Sequence, residues 1–194
     1  MVRVLPYGSW ASPITAGSLV AGAVGLAEVV VDGRDIWWAE GRPEEGGRTV
    51  VVRRSPDGTV ADMVPPGVDV RTGVHEYGGG AWWVANGVLI HSDRSHERLV
   101  RRTSDGGPVL LTPEPDAPRA LRYADGRTTP DGCWYVCVRE AHPVDPAGGE
   151  PANELVAVAT DGSMRVDVIA TGADFVAWPR VSPDGTRLAW VRWN

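Results

Sequence analysis

The run His75-Glu76-Tyr77-Gly78-Gly79-Gly80 sets an imidazole and a carboxylate side by side ahead of three glycines. An imidazole titrates near neutral pH and a carboxylate can trade protons with it, so the pair is equipped for acid–base work or for a metal. The run is not His-Glu-x-x-His, which excludes the zinc-protease pattern. A structural reading competes: glycines let a strand pass close to neighbouring backbone, with His75 and Glu76 hydrogen-bonded to adjoining loops. The functional reading makes His75, Glu76 and Tyr77 candidates for lining a channel through which a substrate passes.

Other chemistry is sparse. His91 and His96 flank Ser92-Asp93-Arg94-Ser95, and without a third ligand at a suitable spacing they read as exposed loop histidines. Asp57, Asp105, Asp131 and Asp184 each precede a glycine. Asp accepts hydrogen bonds from backbone two residues on and Gly takes positive φ, so these are turn residues. A hydrolase nucleophile would stand in Gly-x-Ser-x-Gly between a strand and a helix, and no serine has that frame; Ser9, Ser18 and Ser163 lack the second glycine. Cys133 and Cys137 fall in one extended run. Four strand steps separate them by roughly 13 Å, too far for a disulfide, so they read as buried free thiols. No residue is assigned to catalysis or to a metal, and no cofactor is expected.

The elements that would position these residues are strands. Gly 24 and Pro 16 punctuate short apolar runs, and Trp 9 stands against a single Phe. One short helix is expected from Thr15 to about Ala23, with Thr15 as its N-cap. Strands follow at 27–31, 35–40, 48–54 and 59–64, separated by turns such as Ser55-Pro56-Asp57-Gly58. Short β-rich runs joined by Asp-Gly are hairpin signals. The set recurs at 81–85, 88–92, 98–103 and 108–112, and the two Asp-Gly turns Asp57-Gly58 and Asp105-Gly106 are offset by 48 positions. A third set starts near Leu121, with a polar insertion from Ala141 to Asn153. A fourth begins at Phe175 and runs to the strand Thr186–Trp193.

Four-stranded units at this period are propeller blades. The reading is all-β: an N-terminal segment 1–25 with a short helix, then a partial β-propeller over 26–194. Its blades fall at about 26–66, 68–113, 119–171 and 174–194, the last truncated. A twisted antiparallel sandwich with chance turns is the competing architecture; the shared offset and the pairs Trp37-Trp38 and Trp82-Trp83 favour the propeller. Both faces of a blade are covered, so consecutive aromatics suit packing between blades.

A net charge of -6, with 19 basic residues that are all arginine, lacks the basic footprint of a nucleic-acid binder. No stretch is long enough for a membrane span. The apolar run Leu19–Val31 is broken by Glu28 and has only Arg3 ahead of it, which argues against a signal peptide and for the cytoplasm.

Several runs resemble a known family. Tyr7-Gly8-Ser9-Trp10-Ala11-Ser12-Pro13-Ile14-Thr15, Trp38-Ala39-Glu40-Gly41-Arg42-Pro43-Glu44-Glu45-Gly46-Gly47-Arg48 and, most specifically, Val70-Arg71-Thr72-Gly73-Val74-His75-Glu76-Tyr77-Gly78-Gly79-Gly80 are similar to segments of bacterial dipeptidyl-aminopeptidase and acylaminoacyl-peptidase-like proteins of the prolyl oligopeptidase family. Val181–Trp190 resembles the opening of a further blade. The resemblance covers essentially the whole chain. It implies an N-terminal propeller that precedes an α/β-hydrolase domain and restricts access to a Ser-Asp-His triad, with short peptides as substrates. The hydrolase domain and the remaining blades are absent from this sequence, so the implied role is gating within a parent peptidase, without catalysis by this chain alone. Two alternatives stay open. One is a stand-alone propeller module that binds other proteins or self-associates through its open edge. The other is a small metal-dependent propeller enzyme, for which Glu28 and Glu76 are a thin set of axial carboxylates. An uncapped blade also leads us to expect oligomers or aggregation of the isolated chain.

Overall fold

The computed structural model describes residues 4–9, 11–145 and 148–194; Trp10 of the first family-like run, and two positions of the polar insertion, lie outside them. The helix is short. α1 spans Ala16–Val20, and Thr15 caps it in a capping box with Ser18, whose backbone N–H donates to Thr15 Oγ1 at 3.0 Å. Gly22 then takes φ +69°, and the strands begin.

Sheet 1 holds β1 (Gly25–Asp32), β2 (Asp35–Arg42), β3 (Arg48–Arg54) and β4 (Val60–Asp62). Sheet 2 holds β5 (Trp82–Ala85), β6 (Val88–Ser92), β7 (Leu99–Arg102) and β8 (Val109–Leu110). Sheet 3 holds β9 (Leu121–Thr128), β10 (Trp134–Ala141), β11 (Ala152–Ala159) and β12 (Val166–Ala173), and sheet 4 has only β13 (Phe175–Val181) and β14 (Leu188–Trp193). Within each sheet the strands pair antiparallel in chain order. This is the propeller arrangement expected from the sequence: three four-stranded blades and the start of a fourth.

Antiparallel order sends the connections to two ends. The tight turns, among them Asp32–Asp35, Ala85–Val88 and Ser182–Arg187, gather at one end. The longer connections 63–81, 93–98, 111–120 and 142–151 gather at the other. That second end holds His75, Glu76 and Tyr77.

Both faces of the central blades are covered. Trp82, Val84 and Leu89 of sheet 2 pack with Trp37, Ala39 and Val51 of sheet 1. The opposite face of sheet 2, with Ile90 and Leu99, packs with Tyr123, Tyr135, Cys137 and Val156 of sheet 3. Ala124 and Val138, on the far side of sheet 3, meet Val176 of sheet 4. Trp37 and Trp82 are almost fully buried, as packing between blades requires. Cys137 is buried as well, but Cys133 is exposed. The expectation of two buried thiols therefore fails for Cys133, which sits in the turn after Asp131 rather than in the strand.

The inner strands carry a repeated irregularity. The β1–β2, β9–β10 and β13–β14 ladders each shift register by a bulge, and Glu28, Asp125 and Trp178 sit there with φ of 54°, 58° and 54°. Sheet 2 has no such shift and supplies Gly80 instead, at φ 60°. These residues are linked from blade to blade. Gly80 N–H donates to Glu28 Oε1 at 3.0 Å, Asp125 N–H to Gly80 O at 2.7 Å, and Trp178 N–H to Asp125 Oδ2 at 2.6 Å. The glycine is required, because a Cβ at position 80 would lie 2.8 Å from the Asp125 backbone. The three glycines precede the inner strand, and of them Gly80 makes the close approach to the next blade. Gly80→Ala is expected to lower stability by about 2 kcal/mol or more, from the steric contact together with the left-handed backbone. A thermal melt against the wild-type chain measures it, and an unchanged Tm would contradict the assigned role.

Candidate functional site

The segment 73–78 is a tight turn. Glu76 N–H donates to Gly73 O and Gly78 N–H to Val74 O. His75 and Glu76 both have positive φ, 53° and 63°. Two consecutive non-glycine residues in this region are costly, and they persist only where surrounding contacts hold them.

Those contacts come from the two blades that follow. His75 N–H donates to Glu140 Oε1 at 3.1 Å, and His75 Nε2 pairs with Asn153 Oδ1 at 2.8 Å, both on sheet 3. The His75 ring meets Phe175 of sheet 4 edge to face at 5.3 Å, and Phe175 stacks on Trp193. Glu140 is almost fully buried, and it also meets His142 Nε2 at 2.8 Å and Arg122 Nη1 at 3.4 Å. Arg122 Nη1 in turn donates to Gly73 O and to Glu76 Oε1, each at 2.7 Å. The Arg122 guanidinium holds the Glu76 carboxyl below the usual carboxylate range.

A second acidic centre backs the turn. The fully buried Glu97 meets Arg94 Nη1 at 2.6 Å and Arg119 Nε at 3.3 Å, and accepts from Gly73 N–H at 3.3 Å. Three guanidinium groups so crowd Gly73 that a Cβ there would stand 2.9–3.3 Å from Arg119, Arg94 and Arg122. Opposite charges interleaved at such distances lock a loop in place, since each buried carboxylate has an arginine beside it.

Outside this network, Tyr77 is almost fully exposed. A cavity of about 550 Å³ opens beside it, lined by His75, Glu76, Tyr77, Glu140, Asn153 and Phe175. A smaller cavity of about 250 Å³ lies toward the axis between Val74, Gly78–Gly80, Asp125 and Trp178. The three residues singled out in the sequence thus share one loop and one cavity wall. Nothing local to the 75–80 run points to its partners Arg122, Glu140 and Asn153, which come from another blade. Glu28 lies at the axis as a bulge residue, whereas Glu76 sits in the turn and on no strand.

The histidines of the 91–96 segment differ from expectation. His91 is fully buried on β6, not in an exposed loop. Its Nδ1 contacts Ser92 O at 3.1 Å and its Nε2 accepts from Arg102 Nε at 3.0 Å, which fixes the Nδ1–H form. The strand alternation of 88–92 turns it inward, against sheet 1. His96 is half-exposed, and its Nδ1 accepts from Arg98 N–H. Among the described residues no group of three or more His, Cys, Asp or Glu side chains could hold a metal, and no helix is long and apolar enough to cross a membrane.

Sheets radiating in sequence about one axis, with long loops collected at one end and no nucleophile elbow in the chain, define a β-propeller portion. Among the solved structures that match it are three that cover its whole length. A Mycobacterium tuberculosis puromycin-hydrolyzing peptidase is 38% identical with a TM-score of 0.86. A puromycin hydrolase is 31% identical at 0.86, and a mutant of puromycin hydrolase complexed with PGG is 31% identical at 0.85. Each match covers 100% of this chain and 31% of the solved one, so the chain spans about a third of their length. No protein-family model matches the chain, and no curated protein does. These peptidases are prolyl oligopeptidase-family enzymes, and the resemblance read from the sequence holds: over its whole length the chain is similar to a portion of them.

Two outcomes are expected from the polar network. Burial lowers the His91 pKa to about 4, from an ordinary 6.5. The unfolded chain takes up this proton below pH 6.5 and the folded chain resists it. Stability is therefore full above pH 6.5 and declines as pH falls toward 4, by up to about 3 kcal/mol. Denaturant titrations across that range measure the slope, and His91→Gln should flatten it. Glu140→Ala, which strips a buried carboxylate from His142, Arg122 and the His75 amide, should cost about 3 kcal/mol. A loss within 0.5 kcal/mol would show that the network does not hold the loop.

Proposed function

We propose that the chain is the N-terminal propeller portion of a serine peptidase that hydrolyses short peptides and aminoacyl compounds of the puromycin kind. Its part is to admit substrate to a catalytic domain outside this sequence. The observation that carries the reading is the match of the whole chain, at up to 38% identity and a TM-score of 0.86, to puromycin-hydrolyzing peptidases three times its length. The absence of Gly-x-Ser-x-Gly from the sequence supports a chain that does not catalyse alone.

In this reading the loop-rich end faces the substrate. His75, Glu76 and Tyr77 line the passage, with the Glu140–Arg122–Glu76 network holding their loop. An exposed tyrosine and an exposed carboxylate on a pinned loop can sort peptides without taking part in chemistry. The domain order is the N-terminal segment 1–25 and blades over 26–194. The unpaired thiols Cys133 and Cys137 go with a reducing, cytoplasmic location.

The test is hydrolysis of puromycin and of fluorogenic aminoacyl and N-acyl-aminoacyl substrates, with a fluorophosphonate label for any active serine. The purified chain is expected to give neither turnover nor labelling. A chimera in which it replaces the matching portion of the Mycobacterium tuberculosis puromycin-hydrolyzing peptidase should hydrolyse. In that chimera, Tyr77→Ala and Glu76→Gln should alter the preference for peptide length by several-fold while leaving turnover of the smallest substrate within about twofold, since they touch passage and not chemistry. Serine-dependent turnover by the chain alone would overturn the reading.

A further inference from the structure

A third cavity touches the 73–80 segment. It measures about 180 Å³ and lies between sheets 1 and 2, so its walls come from the first two blades alone. The small residues Ala27, Ala39, Ala81, Gly78 and Gly79 leave the space open. An apolar cavity of about 150 Å³ takes a benzene ring, so one aromatic side chain fits here. Two polar groups in the wall lack partners. Trp82 is 3% exposed, and its indole N–H meets no acceptor among the described residues. Buried donors left unpaired are rare. The Trp37 indole N–H is also unpaired, but Trp37 does not line this cavity. Glu28 Oε1 accepts from Gly80 N–H at 3.0 Å, while Oε2 makes no hydrogen bond among the described residues. Tyr77 lines both this cavity and the one of about 550 Å³.

We propose that this crevice is a subsite for a tyrosine side chain of a bound peptide. The ring fills the space between the small-residue walls, and the phenol oxygen accepts the Trp82 indole N–H. An indole N–H only donates and a carboxylate only accepts, whereas a phenol does both. The phenol O–H therefore has the Glu28 carboxylate as its acceptor in the same cavity. Other side chains fit less well. Phenylalanine leaves the indole N–H unpaired, and tryptophan or a histidinium adds a donor where an acceptor is wanted. Serine and threonine carry the hydroxyl but leave most of the volume empty. Tyr77, at the border of the two cavities, offers its ring to the bound one, and the rest of the peptide passes over it into the larger cavity. That the phenol belongs to a peptide rests on the peptidase reading; that the crevice binds a phenol does not.

The experiment titrates N-acetyl-tyrosinamide and N-acetyl-phenylalaninamide into the chain labelled with nitrogen-15 at tryptophan, with the indole N–H signals followed by NMR. The chain has 9 tryptophans, and the Trp82 signal is the one lost in Trp82→Phe. If that variant does not fold, sequential assignment through the Trp82 backbone identifies the signal instead. The tyrosine compound should move the Trp82 signal saturably, and the phenylalanine compound should bind about fivefold more weakly or worse. Ala27→Leu, at a position outside the packed core, puts a larger side chain into the crevice. It should weaken the tyrosine compound by about tenfold or more with the other indole signals in place. An unmoved Trp82 signal, equal binding of the two compounds, or wild-type binding by Ala27→Leu would each overturn the proposal. The peptidase reading fails separately: an inactive chimera beside a chain that binds the tyrosine compound leaves the phenol subsite standing, and an active chimera beside an unmoved Trp82 signal does the reverse.

Discussion

The inner strands of this propeller share no ladder, so neighbouring blades are held by packed side chains and by a few backbone groups close to the axis. Three of those groups form a chain from Glu28 to Gly80, from Gly80 to Asp125 and from Asp125 to Trp178. Each link uses an N–H that a left-handed residue turns out of its own ladder, as a β-bulge does. The cost of the strained φ at Glu28, Asp125 and Trp178 is offset by hydrogen bonds to carboxylate or carbonyl oxygens near a packed core. The angle between blades follows from these links together with the Trp37, Trp82 and Tyr135 layers, and the long connections at one end inherit their positions from that angle.

The 73–78 turn depends on the same geometry. It leaves blade 2, yet its backbone is held by Glu140 of blade 3, its histidine by Asn153 of blade 3 and Phe175 of blade 4, and its base by Glu97 beside Arg94 and Arg119. Burial raises the worth of each charge pair and also the penalty for an unpaired one. The turn is therefore fixed while Tyr77, beyond the network, stays exposed at the cavity.

Most of the fold was legible along the chain. Asp-Gly turns place the hairpins because only particular residues take positive φ without strain, and β-branched runs between them fill pleated, covered surfaces. The strand at 48–54 and that at 88–92 were placed to the residue. The 75–80 run was marked by its glycines, but its role was not, since nothing local distinguishes a turn pinned by a distant glutamate from a strand near an axis. His91 lies within the strand 88–92 but reads from the sequence as a loop histidine, because alternation along a strand does not tell which neighbouring blade covers a face. Cys133 differs because the strand begins one residue later, at Trp134, which leaves the thiol in the turn and in water.

Local chemistry in the sequence thus determined the strands, the turns, the four-part repeat and the absence of a nucleophile elbow, because each rests on residues within a few positions of one another. Only the tertiary structure decided that Glu28 and Asp125 serve as links between blades, that Gly80 must lack a side chain, and that Arg122 and Glu140 hold the His75–Tyr77 turn. Those roles join residues 45 to 65 positions apart. Their pairing depends on the angle at which one packed sheet meets the next, a quantity that no short stretch of chain encodes.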